Sequence, residues 1–309
     1  MKSENFRLKS NGKPIFAYKW SPEDLTEAEG VVQISHGMAE HGERYEEFAE
    51  HLVDSNYIVY ANDHRGHGKT AEDVNGLGHF ADENGWSLVV DDMHNLTNKI
   101  IEDHPELPIF LFGHSMGSLL SRDFISKYEN ELEGTILSGT SGDPGAMSNI
   151  LITIAKIKSF FGSKDSECKF LNNLIFGQYN DNFKPTRTDF DWLTRDESEV
   201  NQYIEDPYCG NPGSAQFFID LFTGLKRVSR MENAKRIPKD LPILLISGEN
   251  DPVGDFGDGV METHNLLTKA GVKDVSYKLY KEARHEILNE INKDEVVRYI
   301  IDWLKDHNK

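Results

Sequence analysis

The chain has 309 residues, 38% of them hydrophobic and 28% charged, and its 52 acidic against 33 basic side chains give a formal net charge of −19. That length suits one large core with an insertion, or two domains, and the composition is that of an ordinary soluble protein. The negative field argues against nucleic acid as a partner and, at long range, against strongly anionic membranes and substrates; neutral or zwitterionic small molecules fit better. Cys168 and Cys209 are the only cysteines, too few for a disulfide framework or the ligand set of a structural zinc site. Met1-Lys2-Ser3-Glu4-Asn5 is polar where a signal peptide is apolar, and no stretch approaches the roughly 18 apolar residues of a membrane span, so a cytoplasmic location is expected.

Phe6 to Leu8 and Pro14 to Trp20 read as a short hairpin around Asn11-Gly12, a strong two-residue turn signal. Val31 to Ser35 is a mostly apolar strand ending at His36-Gly37, and Tyr45, Phe48 and Leu52 share one face of the helix that follows. Tyr57 to Ala61 is a further buried strand, closed by Asp63-His64-Arg65-Gly66-His67-Gly68. Trp86, Val89, Val90, Met93, Leu96 and Ile100 mark a long amphipathic helix.

Pro108 to Phe112 then runs into Gly113-His114-Ser115-Met116-Gly117, after which Met116, Leu120, Phe124 and Tyr128 recur every fourth residue. A fully apolar strand, a Gly-x-Ser-x-Gly turn and a helix form the pattern of a nucleophile elbow. Gly134 to Leu137 is the next strand. From Pro144 to Arg236 the rhythm breaks into helical stretches and polar loops, including Ile150 to Phe161 and the Phe217, Phe218, Leu221, Phe222 face. It resumes with a strand at Leu241 to Ile246, a helix from about Val260 to Ala270, a strand at Val275 to Tyr280 and a last helix through Val297, Ile300, Ile301 and Leu304. Strands alternating with helices predict a mostly parallel, doubly wound α/β sheet. Residues 1–143 and 237–309 are expected to form its core and residues 144–236 an inserted, mainly helical cap over the carboxyl edge; no internal repeat or low-complexity segment interrupts it.

A serine hydroxyl needs a base near neutral pH, and that base needs an orienting acid. Asp251 follows a buried strand on the same sheet edge as the elbow, with Glu249 and Asp143 as alternatives and helix capping as its plain structural role. His285 comes five residues past the final strand, where only His307 follows it, beyond the last helix. The order Ser115, Asp251, His285 is that of nucleophile, acid and base on this fold. Oxyanion donors are expected from the backbone N–H groups of Met116, just after the nucleophile, and Met38, in the His36-Gly37-Met38 turn. His36 with His41 and His64 with His67 invite a metal reading, but neither pair sits on a helix at the spacing of a metalloprotease motif. Glu40 and Arg65 are expected to brace these loops, and no metal or cofactor is expected.

Jointly, His36-Gly37-Met38-Ala39-Glu40-His41, Asp63-His64-Arg65-Gly66-His67-Gly68, Gly113-His114-Ser115-Met116-Gly117, Gly248-Glu249-Asn250-Asp251 and His285 resemble the monoacylglycerol lipase and lysophospholipase group of α/β-hydrolases. The resemblance implies the α/β-hydrolase fold, the same triad and oxyanion donors, and cleavage of monoacylglycerols to glycerol and fatty acid through an acyl-enzyme without a cofactor. Lysophospholipase or broad carboxylesterase activity is the alternative, and a non-catalytic ligand-binding homologue, which a broken triad would signal, the remote one. It also implies that the cap holds the acyl chain. Ile150, Leu151, Ile154, Ile157, Phe160 and Phe161, or Phe217, Phe218, Leu221 and Phe222, could line that tunnel, or could pack the cap onto the core. An exposed Ile150 to Phe161 face would touch lipid assemblies transiently and by hydrophobic contact. Head group, chain length, amide cleavage and oligomeric state are left open.

Overall fold

The structure, a computed structural model, describes residues 1–129 and 131–308. The chain opens with a hairpin of β1 (Lys2–Ser10) and β2 (Lys13–Ser21), followed by β3 (Gly30–Ser35), α1 (Glu46–Asp54), β4 (Tyr57–Asn62), α2 (Gly85–Asp103), β5 (Ile109–His114), α3 (Met116–Lys127) and β6 (Gly134–Ser138). After α4 (Gly145–Phe161), α5 (Lys169–Phe176), α6 (Glu197–Glu205), α7 (Ala215–Val228) and α8 (Met231–Ala234), it returns through β7 (Ile243–Gly248), α9 (Asp258–Lys269), β8 (Val275–Tyr280) and α10 (Lys293–Asp306). One sheet runs β1-β2-β4-β3-β5-β6-β7-β8. The pairings from β3 to β8 are parallel; those of β2 with β1 and β4 are antiparallel. This is the expected α/β-hydrolase sheet.

The five inner parallel strands are buried at every position, which is why they read as unbroken apolar runs rather than alternating ones. Alternation survives in the side each residue serves. Phe110 and Phe112 of β5 join the cluster under α1 and α10, with Phe48, Leu52, Ile300 and Leu304, whereas Leu111 joins Val89, Met93, Leu120 and Val260 on the opposite face. The hairpin is longer than the sequence suggests, nine residues in each strand. Its outer strand is an exposed edge of polar residues, so it carries almost no apolar signal, and the cross-strand backbone bonds extend it regardless.

Strand order reverses at β3, which lies between β4 and β5. A crevice therefore opens beyond the carboxyl ends of β3 and β5, where a doubly wound sheet receives its ligand. Among the described residues no strand joins the sheet between β6 and β7. The helices of that stretch are held unequally. On α7, Phe217, Phe218, Leu221 and Leu225 belong to the same apolar cluster as α2 and α3, whereas α4, lying on α7, buries only Ser148, Leu151 and Ala155. No helix among the described residues is long and apolar enough to cross a membrane.

Candidate active site

β5 turns into α3 at Ser115, whose φ of 53° and ψ of −120° lie in a region that residues with a Cβ avoid. Two glycines make the turn passable. A Cβ on Gly113 would stand 2.3 Å from Ser121 Oγ and 2.5 Å from Gly117 O, and one on Gly117 would stand 2.0 Å from Ser35 O and 2.6 Å from His36 O. The helix thus packs its backbone directly on the end of β3. The turn is pinned by the Ser115 N–H donating to Ser138 O at 2.8 Å and by the Ser118 N–H and Oγ–H donating to Ser115 O at 2.9 and 2.6 Å. Between residues 111 and 120, all buried otherwise, only Ser115 is partly exposed.

Facing it across the same cavity is His285. Its Nδ1 donates to Asp251 Oδ2 at 2.9 Å, which leaves Nε2 as the free ring nitrogen. Asp251, fully buried, also accepts from the Ser247 hydroxyl at 3.0 Å and the Val253 N–H at 2.8 Å. Burial works against charge on both residues, but the mutual attraction and these hydrogen bonds outweigh it, lowering the Asp251 carboxyl and raising the His285 imidazole from their ordinary values. The alternatives are elsewhere: Glu249 and Asp143 are both exposed, and Asp143 caps its own turn at Gly145 N–H. Nor does Asp251 cap the helix that follows, since Gly257 takes that position.

Met38 and Met116 line the cavity on the Ser115 side. Met116 is the first residue of α3, so its N–H has no intrahelical acceptor. The Met38 turn is held from both sides. The Gly37 N–H donates to Glu40 Oε1 at 2.5 Å, and Ala39 O accepts the Gly210 N–H and the Tyr203 hydroxyl at 2.9 Å each. Glu40 in turn accepts from Arg44 at 2.8 Å and Tyr45 at 2.9 Å, and Arg44 grips Glu286, next to His285, through two bonds of 2.7 and 2.8 Å. Burial alone would raise both acids. Arg44 holds Glu286 well down, whereas Glu40, facing the Glu286 charge as well, stays raised.

The histidines divide differently from their sequence pairing. His36 donates from Nδ1 to Gly37 O at 2.7 Å and accepts the His64 N–H on Nε2 at 2.9 Å, which fixes a neutral tautomer. Burial and their mutual proximity hold His36, His64 and His67 below their ordinary value. His41 turns away to Asp206, 2.8 Å distant, and these two with Cys209 bring donor atoms within 4.8 Å of one another. Among the described residues those three are the ones best placed to hold a cation, but burial pushes the Cys209 thiol up and His41 and Asp206 already satisfy each other. Arg65 braces its loop as expected, bonding Asp92 at 2.6 and 3.0 Å and Ser10 O at 3.0 Å.

The family model described as "Serine aminopeptidase, S33" matches residues 26–292. The chain belongs to this family. It is 29% identical to the monoglyceride lipase of Rattus norvegicus, over 92% of this chain and 84% of that protein. To the monoacylglycerol lipase of Mycolicibacterium smegmatis it is 27% identical, over 93% and 91%. Among solved structures, a thermostable carboxyl esterase from Bacillus coagulans, in complex with glycerol, superimposes over the full length of both chains at 30% identity with a TM-score of 0.92. The chain is therefore a serine hydrolase of the α/β-hydrolase fold.

For this hydrolase the cavity beside Ser115 measures about 1240 Å³. Ile150, Leu151 and Ile154 of α4 and Leu221, Phe222 and Leu225 of α7 reach its wall. Five residues expected there do not. Ile157 and Phe161, 54% and 84% exposed, lie where α4 has run past the cavity into solvent, as does Phe160. Phe217 and Phe218 sit one turn too early on α7 and are fully buried, Phe217 against Phe80 at 4.7 Å between ring centres. Helical periodicity names the face but not the span of a helix that meets a cavity. Sequence reasoning missed Ile175, Phe176, Tyr179 and Trp192 on the opposite wall. Trp192, 5.3 Å from His285 between ring centres, had one signal, the Phe190, Trp192 and Leu193 cluster within a polar loop.

Two outcomes follow for stability. Gly117→Ala forces backbone apart and should cost about 3 kcal/mol in urea denaturation, because the clash is with carbonyl oxygens that cannot rotate away. Arg44→Met strands two buried carboxylates and should cost about 3–5 kcal/mol at pH 7. Glu286 has a depressed folded pKa, so the wild-type pairing stabilises fully above the unfolded carboxylate value and is lost as pH falls through the folded one. The deficit of Arg44→Met should therefore shrink in denaturation curves taken below about pH 4.

Proposed function

We propose that this carboxylic ester hydrolase cleaves monoacylglycerols to glycerol and fatty acid, with Ser115 as nucleophile, His285 as base and Asp251 as the acid that orients it. The observation that carries the reading is the convergence of a partly exposed serine on a strained turn with a buried His–Asp pair, on one cavity whose far wall is aliphatic and aromatic. Ser115 Oγ attacks the ester carbonyl as His285 Nε2 takes its proton; the same imidazolium then protonates the departing glycerol oxygen, and His285 afterwards activates the water that releases the acid. The N–H groups of Met38 and Met116 receive the negative oxygen of each tetrahedral intermediate, each donor being worth about 100-fold to 1,000-fold in turnover. Residues 144–236 act as the cap, with Ile154, Leu221 and Phe222 against the acyl chain. The exposed Phe160 and Phe161 at the end of α4 give the cap a hydrophobic contact to lipid surfaces, since the net charge of −19 offers no electrostatic one to anionic lipid. The substrate assignment is supported by relatives named as lipases across most of their length.

A broader carboxylesterase is the second reading, favoured by the likeness to the Bacillus coagulans esterase. Initial rates on monoacylglycerols, lysophospholipids, short p-nitrophenyl esters and an aminoacyl anilide separate these; a clear preference for any class but the first replaces the substrate proposed. Ser115→Ala should abolish ester hydrolysis and fluorophosphonate labelling while the melting temperature stays unchanged, and retained turnover would refute the nucleophile. Because the base must be neutral and Asp251 raises its pKa from the ordinary 6.5, kcat/KM should climb with pH through an apparent pKa above that value. Asp251→Asn should move the rise to lower pH and reduce kcat by about 10⁴-fold.

A further inference from the structure

A second cavity, of about 490 Å³, opens among α2, α3, α7 and α8 and shares no lining residue with the one at Ser115. Lys127, Arg227, Arg230 and Arg236 line it against the carboxylates of Asp123 and Glu232. That balance inverts the chain as a whole, where acids outnumber bases 52 to 33. Lys127 pairs with Asp91, outside the recess, and Arg227 bonds Asp123 at 2.9 Å. Asp123 also accepts the Trp86 indole N–H at 2.8 Å, so its charge is spent. Arg230 and Arg236 are exposed and make no ion pair among the described residues, and only Glu232, also exposed, opposes them.

The floor supplies an independent sign. Asn233 is 7% exposed; its Oδ1 lies 3.1 Å from the Ser126 hydroxyl and its Nδ2 has no partner. Buried amides are almost always satisfied, and turning this one over only exchanges which atom is left over. With Oδ1 on Ser126 the orphan is a donor, and an unsatisfied donor on a residue lining the same recess as two unpaired guanidinium groups is suited to an anion. Planar guanidinium forks match the oxygens of a phosphoryl group, to which they donate in pairs. The net charge does not forbid this, because its field is screened beyond about 8 Å at physiological ionic strength, while the recess acts at contact. A long polyanion, by contrast, would lie across the acidic surface. We propose that this recess binds a phosphate-bearing small molecule, held by Arg230 and Arg236 with the Asn233 amide at its floor. The volume admits a sugar or nucleoside monophosphate and exceeds what inorganic phosphate needs.

The recess lies at the far end of α3 from Ser115, about 17 Å along the helix axis, so ligand binding and hydrolysis can be read separately. The full-length protein would be titrated by calorimetry with AMP, with inorganic pyrophosphate and with adenosine as the uncharged control. AMP and pyrophosphate should bind, adenosine should not, and raising the salt should weaken both. The double variant R230A/R236A, altered only at exposed side chains, should lose at least tenfold in affinity for both anions with p-nitrophenyl butyrate hydrolysis unchanged. Asn233→Leu should weaken binding as well, with circular dichroism reporting that it is folded. The proposal is overturned if neither anion binds, if R230A/R236A binds them as the wild type does, or if adenosine binds equally.

Discussion

The structure depends on one close approach, the backbone of Gly117 against the carbonyls of Ser35 and His36. Because α3 cannot stand off from β3, the end of β5 has to turn within a single residue, and that residue carries the positive φ. The strain at Ser115 is therefore a geometric consequence of helix–sheet packing and is held by the whole core beneath it, from Phe112 to Leu120. It also leaves the Met116 N–H without an acceptor and brings the His36-Gly37-Met38 turn alongside, so the proposed nucleophile and the proposed oxyanion donors come from the same contact.

The second requirement is that two loops from distant parts of the chain keep register with that turn. Arg44 supplies it by bonding Glu40, which holds the Gly37 N–H, and Glu286, which adjoins His285. A buried network of this kind is a poor source of net stability, since desolvation consumes most of its Coulombic gain. Its value is geometric. Two carboxylates on one guanidinium fix the distance between the Gly37 turn and the His285 loop, and an apolar replacement would pack without directing either. The neutral His36, bonded at both nitrogens, does the same between the Gly37 turn and the loop that follows β4.

These relations explain which parts could be read from sequence. The inner strands, the elbow and the order of Ser115, Asp251 and His285 are local patterns or follow from chain order on a doubly wound sheet, so they were visible without coordinates. Asp251 was separable from Glu249 because it stands two residues farther into the loop, where a side chain can bend back over the sheet, and that is where it meets His285. The link from Glu40 to Glu286 was not visible, because Arg44 makes it to a residue 242 positions from itself. The extent of β1 was missed since an edge strand needs no apolar face. Ile157, Phe160, Phe161, Phe217 and Phe218 fall outside the cavity for a common reason: an amphipathic stripe states that a helix side is buried or apolar, and not against what.

The same distinction bears on how the cavity is built. Its two helical walls differ in how they are held. Nine residues of α7 are buried, and its inner face shares a cluster with α2 and α3, so Leu221, Phe222 and Leu225 are as fixed as the sheet itself. α4 buries three residues and exposes Met147, Ile150, Ile157, Phe160 and Phe161. Displacing α7 would open the core it shares with α2 and α3, whereas the buried residues that α4 would give up are Ser148, Leu151 and Ala155. Local opening of the cavity therefore has a preferred side. The wall that can yield is also the one whose apolar residues already face solvent, so an apolar ligand or surface arriving there meets the least resistance where it gains the most contact.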